Sequence, residues 1–275
     1  MKLSKRCRRA KVFCDLLLAN KKVLITCSVI LPILIWICDK SWSIEANMKG
    51  LGFTLADACL LLTYLPIPFE IVIVPLCVFL VLLLLKYDFN PSGIIRYQSR
   101  RELWLKRVGN ACAFSALAAL YLTVCSGVIS IFTTKGVCNW NEKDSFFFAA
   151  MLGQADKPGE FIPQTMAVPP DAAKILGMLF LFSFFSIAAM SIIELLIQWL
   201  SGSYIIGFVV ILVIALLDAA DIPVFYKYSS ILYTQWVKNV PVICNMIYPA
   251  VWIAVLSAVG WLLAERKDFL SAQQK

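Results

Sequence analysis

FNPSGIIRYQSRRELWLKR, residues Phe89 to Arg107, is a long polar segment lying between two hydrophobic runs. Five Lys/Arg fall between Arg96 and Arg107, interleaved with Tyr97 and Trp104. Asn90-Pro91-Ser92-Gly93 is turn chemistry. Ser99-Arg100-Arg101-Glu102 fits a capping box, which starts a helix near Arg100. That helix runs on into a hydrophobic stretch, with Arg100 and Trp104 on one face four residues apart. A basic loop that serves only orientation needs neither a capping box nor aromatic residues. Arg beside Tyr and Trp is the usual make-up of contact anchors. The segment therefore reads as an inner-surface docking site, with Ser92, Ile94, Arg96, Tyr97, Ser99, Arg100, Arg101 and Trp104 as its contact residues.

The rest of the chain is mostly hydrocarbon. Of 275 residues, 61% are hydrophobic and only 15% are charged, against about a quarter charged in soluble domains. One soluble core does not hold that excess, so lipid must solvate it. The net charge of +8 does not point to nucleic acid, because the basic residues gather at the ends of hydrophobic runs, as membrane orientation requires. Ten Cys are scattered without a CxxC pair, and there is no His, which argues against a zinc site. Cys38, Cys59, Cys138 and Cys244 fall near or on the outer side, and any pairing among them is left open.

The expected class is all-α, a six-span membrane protein with both termini cytoplasmic. Residues 1–22 carry eight Lys/Arg, with apolar residues at helical spacing, and read as a basic amphipathic helix on the inner membrane surface. A cleaved signal peptide does not fit this long basic region. The transmembrane domain covers 23–264, with spans expected at 23–38, 69–85, 108–132, 172–200, 204–217 and 242–264. Outer loops are expected at 39–68, 133–170 and 218–241, the docking segment at 89–107, and a cytoplasmic tail at 265–275. Within the first outer loop, Thr54 and Asp57 cap a half-helix that ends before Pro66. Phe146-Phe147-Phe148 needs a cover, from headgroups or from that half-helix. With the N-terminus inside, seventeen of the 25 Lys/Arg lie on the inner side, which sets the orientation.

No P-loop, GxSxG or HExxH pattern occurs, so the chain is not expected to be an enzyme or to hold a cofactor itself. Three acids lie in or beside the spans: Glu70, Glu194 and Asp218. An intramembrane carboxylate is a functional candidate by default. Glu70 and Asp218 read as interfacial residues near helix ends. Glu194 reads as an intramembrane carboxylate paired with a basic residue of the neighbouring inner segment. A transport or proton role is the other reading.

In topology the chain resembles the permease subunits of type 2 ABC exporters. The run GIIRYQSRRELWLKR is similar to an Arg-Tyr-x-Ser-Arg…Trp pattern of bacterial bacteriocin-associated permeases, and Glu265-Arg266-Lys267-Asp268-Phe269 resembles the ending after their last span. The half-helix at Thr54–Leu65 and the long Thr133–Pro170 loop depart from the simplest pattern. The resemblance implies that Ser92 to Trp104 is a coupling segment seated on a separate ATPase subunit, which binds the ATP. It implies a second permease chain, identical or paralogous, a bacterial cytoplasmic membrane, and export of a peptide, lipid or drug-like substrate. Two other readings stand beside it: a membrane-embedded bacteriocin immunity or assembly protein without transport, and a proton-coupled carrier using Glu194.

Overall fold

The computed structural model describes residues 21–64, 67–85, 99–140, 142, 144–146, 170–220, 222–229 and 243–264. Among these the architecture is helical throughout, with a single isolated bridge between Gly52 and Ser145. The helices are α1 (Lys21–Met48), α2 (Leu55–Tyr64), α3 (Val74–Leu85), α4 (Arg100–Thr133), α5 (Ala172–Ser201), α6 (Tyr204–Ala219), α7 (Tyr226–Ser229) and α8 (Ile243–Leu263). A π-helical turn, Ile67–Ile73, leads into α3. Among the described residues five elements are long and apolar enough to cross a membrane: α1, the π-helix with α3, α4, α5 and α8. The chain is a multi-pass membrane protein on this ground. The outward residues agree, since Val251, Val255, Val259 and Leu262 of α8 are exposed at helical spacing. Such a stripe is a liability in water and ordinary in lipid. At sixteen residues, α6 is the short apolar helix.

α5 is the axis. Every residue from Ser186 to Leu196 is buried, because α3, α4, α6 and α8 all pack on it. It starts where expected: the Asp171 carboxylate accepts from Lys174 N at 2.8 Å. It ends at Gly202, whose φ of 76° lets the chain turn directly into α6.

α1 corrects the expected first span. It runs on past Cys38 through Asp39, Lys40 and Trp42 to Met48, across ten residues assigned to an outer loop. The charges at 39 and 40 read as the end of a span, but nothing there breaks a helix. Cys27, Leu31, Ile35, Asp39, Ser43 and Ala46 form one buried stripe against α4. The stop is at Gly50, φ 69°, where Leu51 N bonds Ala46 O at 2.9 Å and Gly50 N bonds Asn47 O at 3.1 Å. That pattern is a Schellman termination. The second span also opens earlier than expected, at Ile67. Pro75, which lacks an N–H, sits where the π register gives way to α.

As helices, α5, α6 and α8 lie within two residues of the ranges 172–200, 204–217 and 242–264, and α4 runs unbroken from Arg100 to Thr133; α6 is shorter than the five long apolar helices. Phe146 finds its cover on the half-helix side, meeting Phe53 edge-on at 5.7 Å beside Ala46 and Ala58. Residues 1–20, 147–148, 230–242 and 265–275 lie outside the described residues, so the amphipathic helix expected at 1–22 and the tail expected at 265–275 fall wholly or mostly outside them.

Candidate functional site

Three groups of polar residues stand out in an otherwise apolar bundle: the basic start of α4, the carboxylates at the opposite end, and Glu194 on α5.

At the start of α4, Ser99 acts as expected, its hydroxyl accepting from Glu102 N at 3.1 Å. Arg100 and Arg101 are half-buried and Glu102 is exposed. Trp104, read as a surface anchor, is wholly buried and spent within the chain. Its ring lies 4.5 Å from that of Trp199 at the end of α5, and its Nε1 donates to Ser257 O of α8 at 2.8 Å. Gly260 makes this possible, since a Cβ there would overlap the Trp104 ring. The Arg101 guanidinium stacks 3.9 Å from the Trp261 ring centre. Buried Arg107 stands 5.9 Å from that of Trp199. The first two turns of α4 thus lock the ends of α5 and α8 together through Arg–Trp and Trp–Trp contacts. Of the expected docking residues, Ser99, Arg100, Arg101 and Trp104 share this place. Ser92, Ile94, Arg96 and Tyr97 lie outside the described residues.

The opposite end holds two acids with full sets of donors. Asp57, at the head of α2, accepts from Thr54 N at 2.8 Å and Thr54 Oγ1 at 2.6 Å on one oxygen, and from Trp140 Nε1 at 2.7 Å on the other. Burial pushes its carboxyl upward, and the bonds from Thr54 and Trp140 oppose that. Asp218 accepts from Val224 N at 2.7 Å and from Phe225 N and Tyr226 N at 2.9 Å each, holding the chain that begins α7. It sits near a helix end, as expected. Glu70 is instead buried in the π-helix. Burial pushes the Tyr226 phenol well up, reinforced by Glu70 and Asp218 nearby. Cys38, Cys59 and Cys138 are free thiols. Burial, opposed by the contact with the Ser126 hydroxyl, pushes the Cys59 thiol up to about 12.

Glu194 differs from both groups. It is 0% exposed, and neither carboxylate oxygen has a hydrogen-bond partner among the described residues. The expected pairing with a basic residue is absent there. Its neighbour is Gly207 of α6: a Cβ on Gly207 would come 2.9 Å from Glu194 Cγ and 3.2 Å from its backbone oxygen. Ser183, Ser186 and Ser191 of α5 are likewise buried, with hydroxyls that have no partner among the described residues. Sequence reading missed Asp39, which is wholly buried on α1 and accepts from Ser130 Oγ at 3.3 Å. It also missed Gly207 and Gly260. The available signal was glycine inside an apolar helix, which marks close approach. Among the described residues no group of His, Cys, Asp and Glu could hold a metal. Comparison of the chain with family models, curated proteins and solved structures returns no match.

Proposed function

We propose that this chain is the permease subunit of a type 2 ABC exporter of the bacterial cytoplasmic membrane. On this reading α6 also spans, as the fifth of six, both termini are cytoplasmic, and residues 1–22 lie on the inner surface. A separate ATPase docks on 89–107, and a second permease chain, identical or paralogous, completes the path for a peptide, lipid or drug-like substrate. One observation carries the reading. Trp104, five residues inside the segment's capped helix, is keyed into both Trp199 and Gly260. A push on the segment therefore moves the ends of α5 and α8 together, because packed interiors shift as units rather than deform. ATP closure in the partner would supply that push.

Copurification in mild detergent tests this. An ATPase should come off the membrane with the chain, and Arg100→Glu with Arg101→Glu should reduce its recovery about tenfold or more. Gentle purification that yields no ATPase counts against the reading.

The second reading, a bacteriocin immunity or assembly protein without transport, draws on the same tryptophan. Complete burial of Trp104 gives the Arg–Trp cluster a structural reason to exist without any partner. In that case protection from a toxin survives the double charge reversal and needs no nucleotide.

A further inference from the structure

Glu194 and the serines above it form a polar track along the most buried helix of the molecule. Ser183, Ser186, Ser191 and Glu194 fall within twelve residues, about 16 Å of helix axis from first to last, and at 3.6 residues per turn they occupy one half of its circumference. All four are buried, with side-chain oxygens that have no partner among the described residues. A serine in a helix usually bonds the carbonyl one turn back, as Ser201 does to Ile197 O at 2.8 Å. Ser115 of α4, the neighbouring helix, is also buried without a partner among the described residues. Unmade bonds on several neighbouring polar groups are uncommon in native interiors.

The lower end of the track is a carboxylate. An ionised carboxylate without donors or a counter-charge costs several kcal/mol in such a place. Intramembrane acids of this kind are retained for what they bind. Gly207 of α6 lies against Glu194, and its lack of a side chain lets the two helices approach closely there. Within the described part of the helix next to it, α6 brings a single acid, Asp218, committed at its far end to three backbone donors.

We propose that Glu194 is the counter-charge for an organic cation, an ammonium, phosphonium or guanidinium group carried by the exported molecule, which enters between α5 and α6 and is passed along the serine track. The proposal deepens the exporter reading and rests on it for calling the cation a cargo group. The cargo is then a cationic amphiphile: a positive head for the carboxylate and an apolar body for the surrounding Leu, Ile and Phe side chains.

The test uses the full chain alone in lipid nanodiscs, without ATPase or nucleotide. The probe is tetraphenylphosphonium, with tetraphenylborate as the anionic counterpart. Wild type should bind the cation saturably and the anion not at all. Glu194→Gln should weaken cation binding about thirtyfold or more, while Glu194→Asp retains part of it. Equal affinity in wild type and Glu194→Gln, or no binding by wild type, overturns the proposal. If Glu194→Gln does not fold, the wild type still decides. Dicyclohexylcarbodiimide should modify Glu194, mapped by mass spectrometry, and the cation should slow that modification; absence of protection overturns the proposal. A chain whose Glu194→Gln variant instead changes only its oligomeric state has its cation supplied by a second copy, which also overturns it. Failure here leaves the ATPase-docking reading standing, and cation binding without a copurifying ATPase leaves the site standing.

Discussion

Asp57 and Glu194 are both carboxylates withdrawn from water, and the chain treats them in opposite ways. Asp57 has a donor on each oxygen, from Thr54 and from Trp140. Those bonds tie the head of α2 to the segment that follows α4. Glu194 is just as buried, both residues being 0% exposed, and has no donor among the described residues. The first arrangement is what stability selects: a buried charge surrounded by hydrogen bonds. The second gives stability nothing and leaves binding capacity unused. Polar residues at the cap end therefore serve the fold, and those along α5 are available for something that arrives.

The largest effect should come from removing Asp57. Asp57→Ala removes the acceptor of three hydrogen bonds, from the Thr54 N–H, the Thr54 hydroxyl and the Trp140 indole, and each lost bond at a buried donor carries a desolvation cost. The loss should be about 3 kcal/mol or more, read as lowered thermal stability of the detergent-solubilised chain. A loss no larger than that of an average surface substitution would mean that the cap end is not held by its carboxylate.

A smaller loss is expected at the α5–α6 contact. Gly207→Ala places a methyl 2.9 Å from Glu194 Cγ and 3.2 Å from a backbone oxygen that cannot swing away. α6 must move outward, at about 1–3 kcal/mol. The sharper readout is access: an introduced thiol beside Glu194 should react faster with a membrane-permeant maleimide in this variant. Unchanged labelling would show that α6 is not the cover.

The limits of the sequence follow from the same contrast. Local chemistry was readable: Ser99, Thr54 and Asp171 start helices where their side chains say they should, and the hairpin at 201–203 turns at glycine. Long-range partners were not. Asp39 and Lys40 look like the end of a span until Ser130, 91 residues away, is seen to donate to Asp39. Trp104 looks like a surface anchor because nothing near it in sequence announces the space above Gly260. Glu194 was expected to have a basic partner because a buried acid ordinarily has one. A hydrophobic pattern tells which helices meet lipid, but in a bundle apolar on nearly every face it does not tell which faces meet each other.

The smallest effects give the closest control, because they compare one substitution at two places. Ser43 and Ser191 are both buried serines in long helices. The Ser43 hydroxyl donates to Thr133 O at 2.9 Å, joining α1 to the end of α4. The Ser191 hydroxyl has no partner among the described residues. Ser43→Ala should cost about 1 kcal/mol, the net worth of an ordinary hydrogen bond. Ser191→Ala removes a polar atom that made no bond, so it should be neutral or slightly stabilising, within about 0.5 kcal/mol of zero. Helix propensity favours Ala over Ser equally at both positions and cancels in the difference. Equal losses in the two variants would mean that Ser191 is bonded within the folded chain, and the track along α5 would then be part of the scaffold rather than a path.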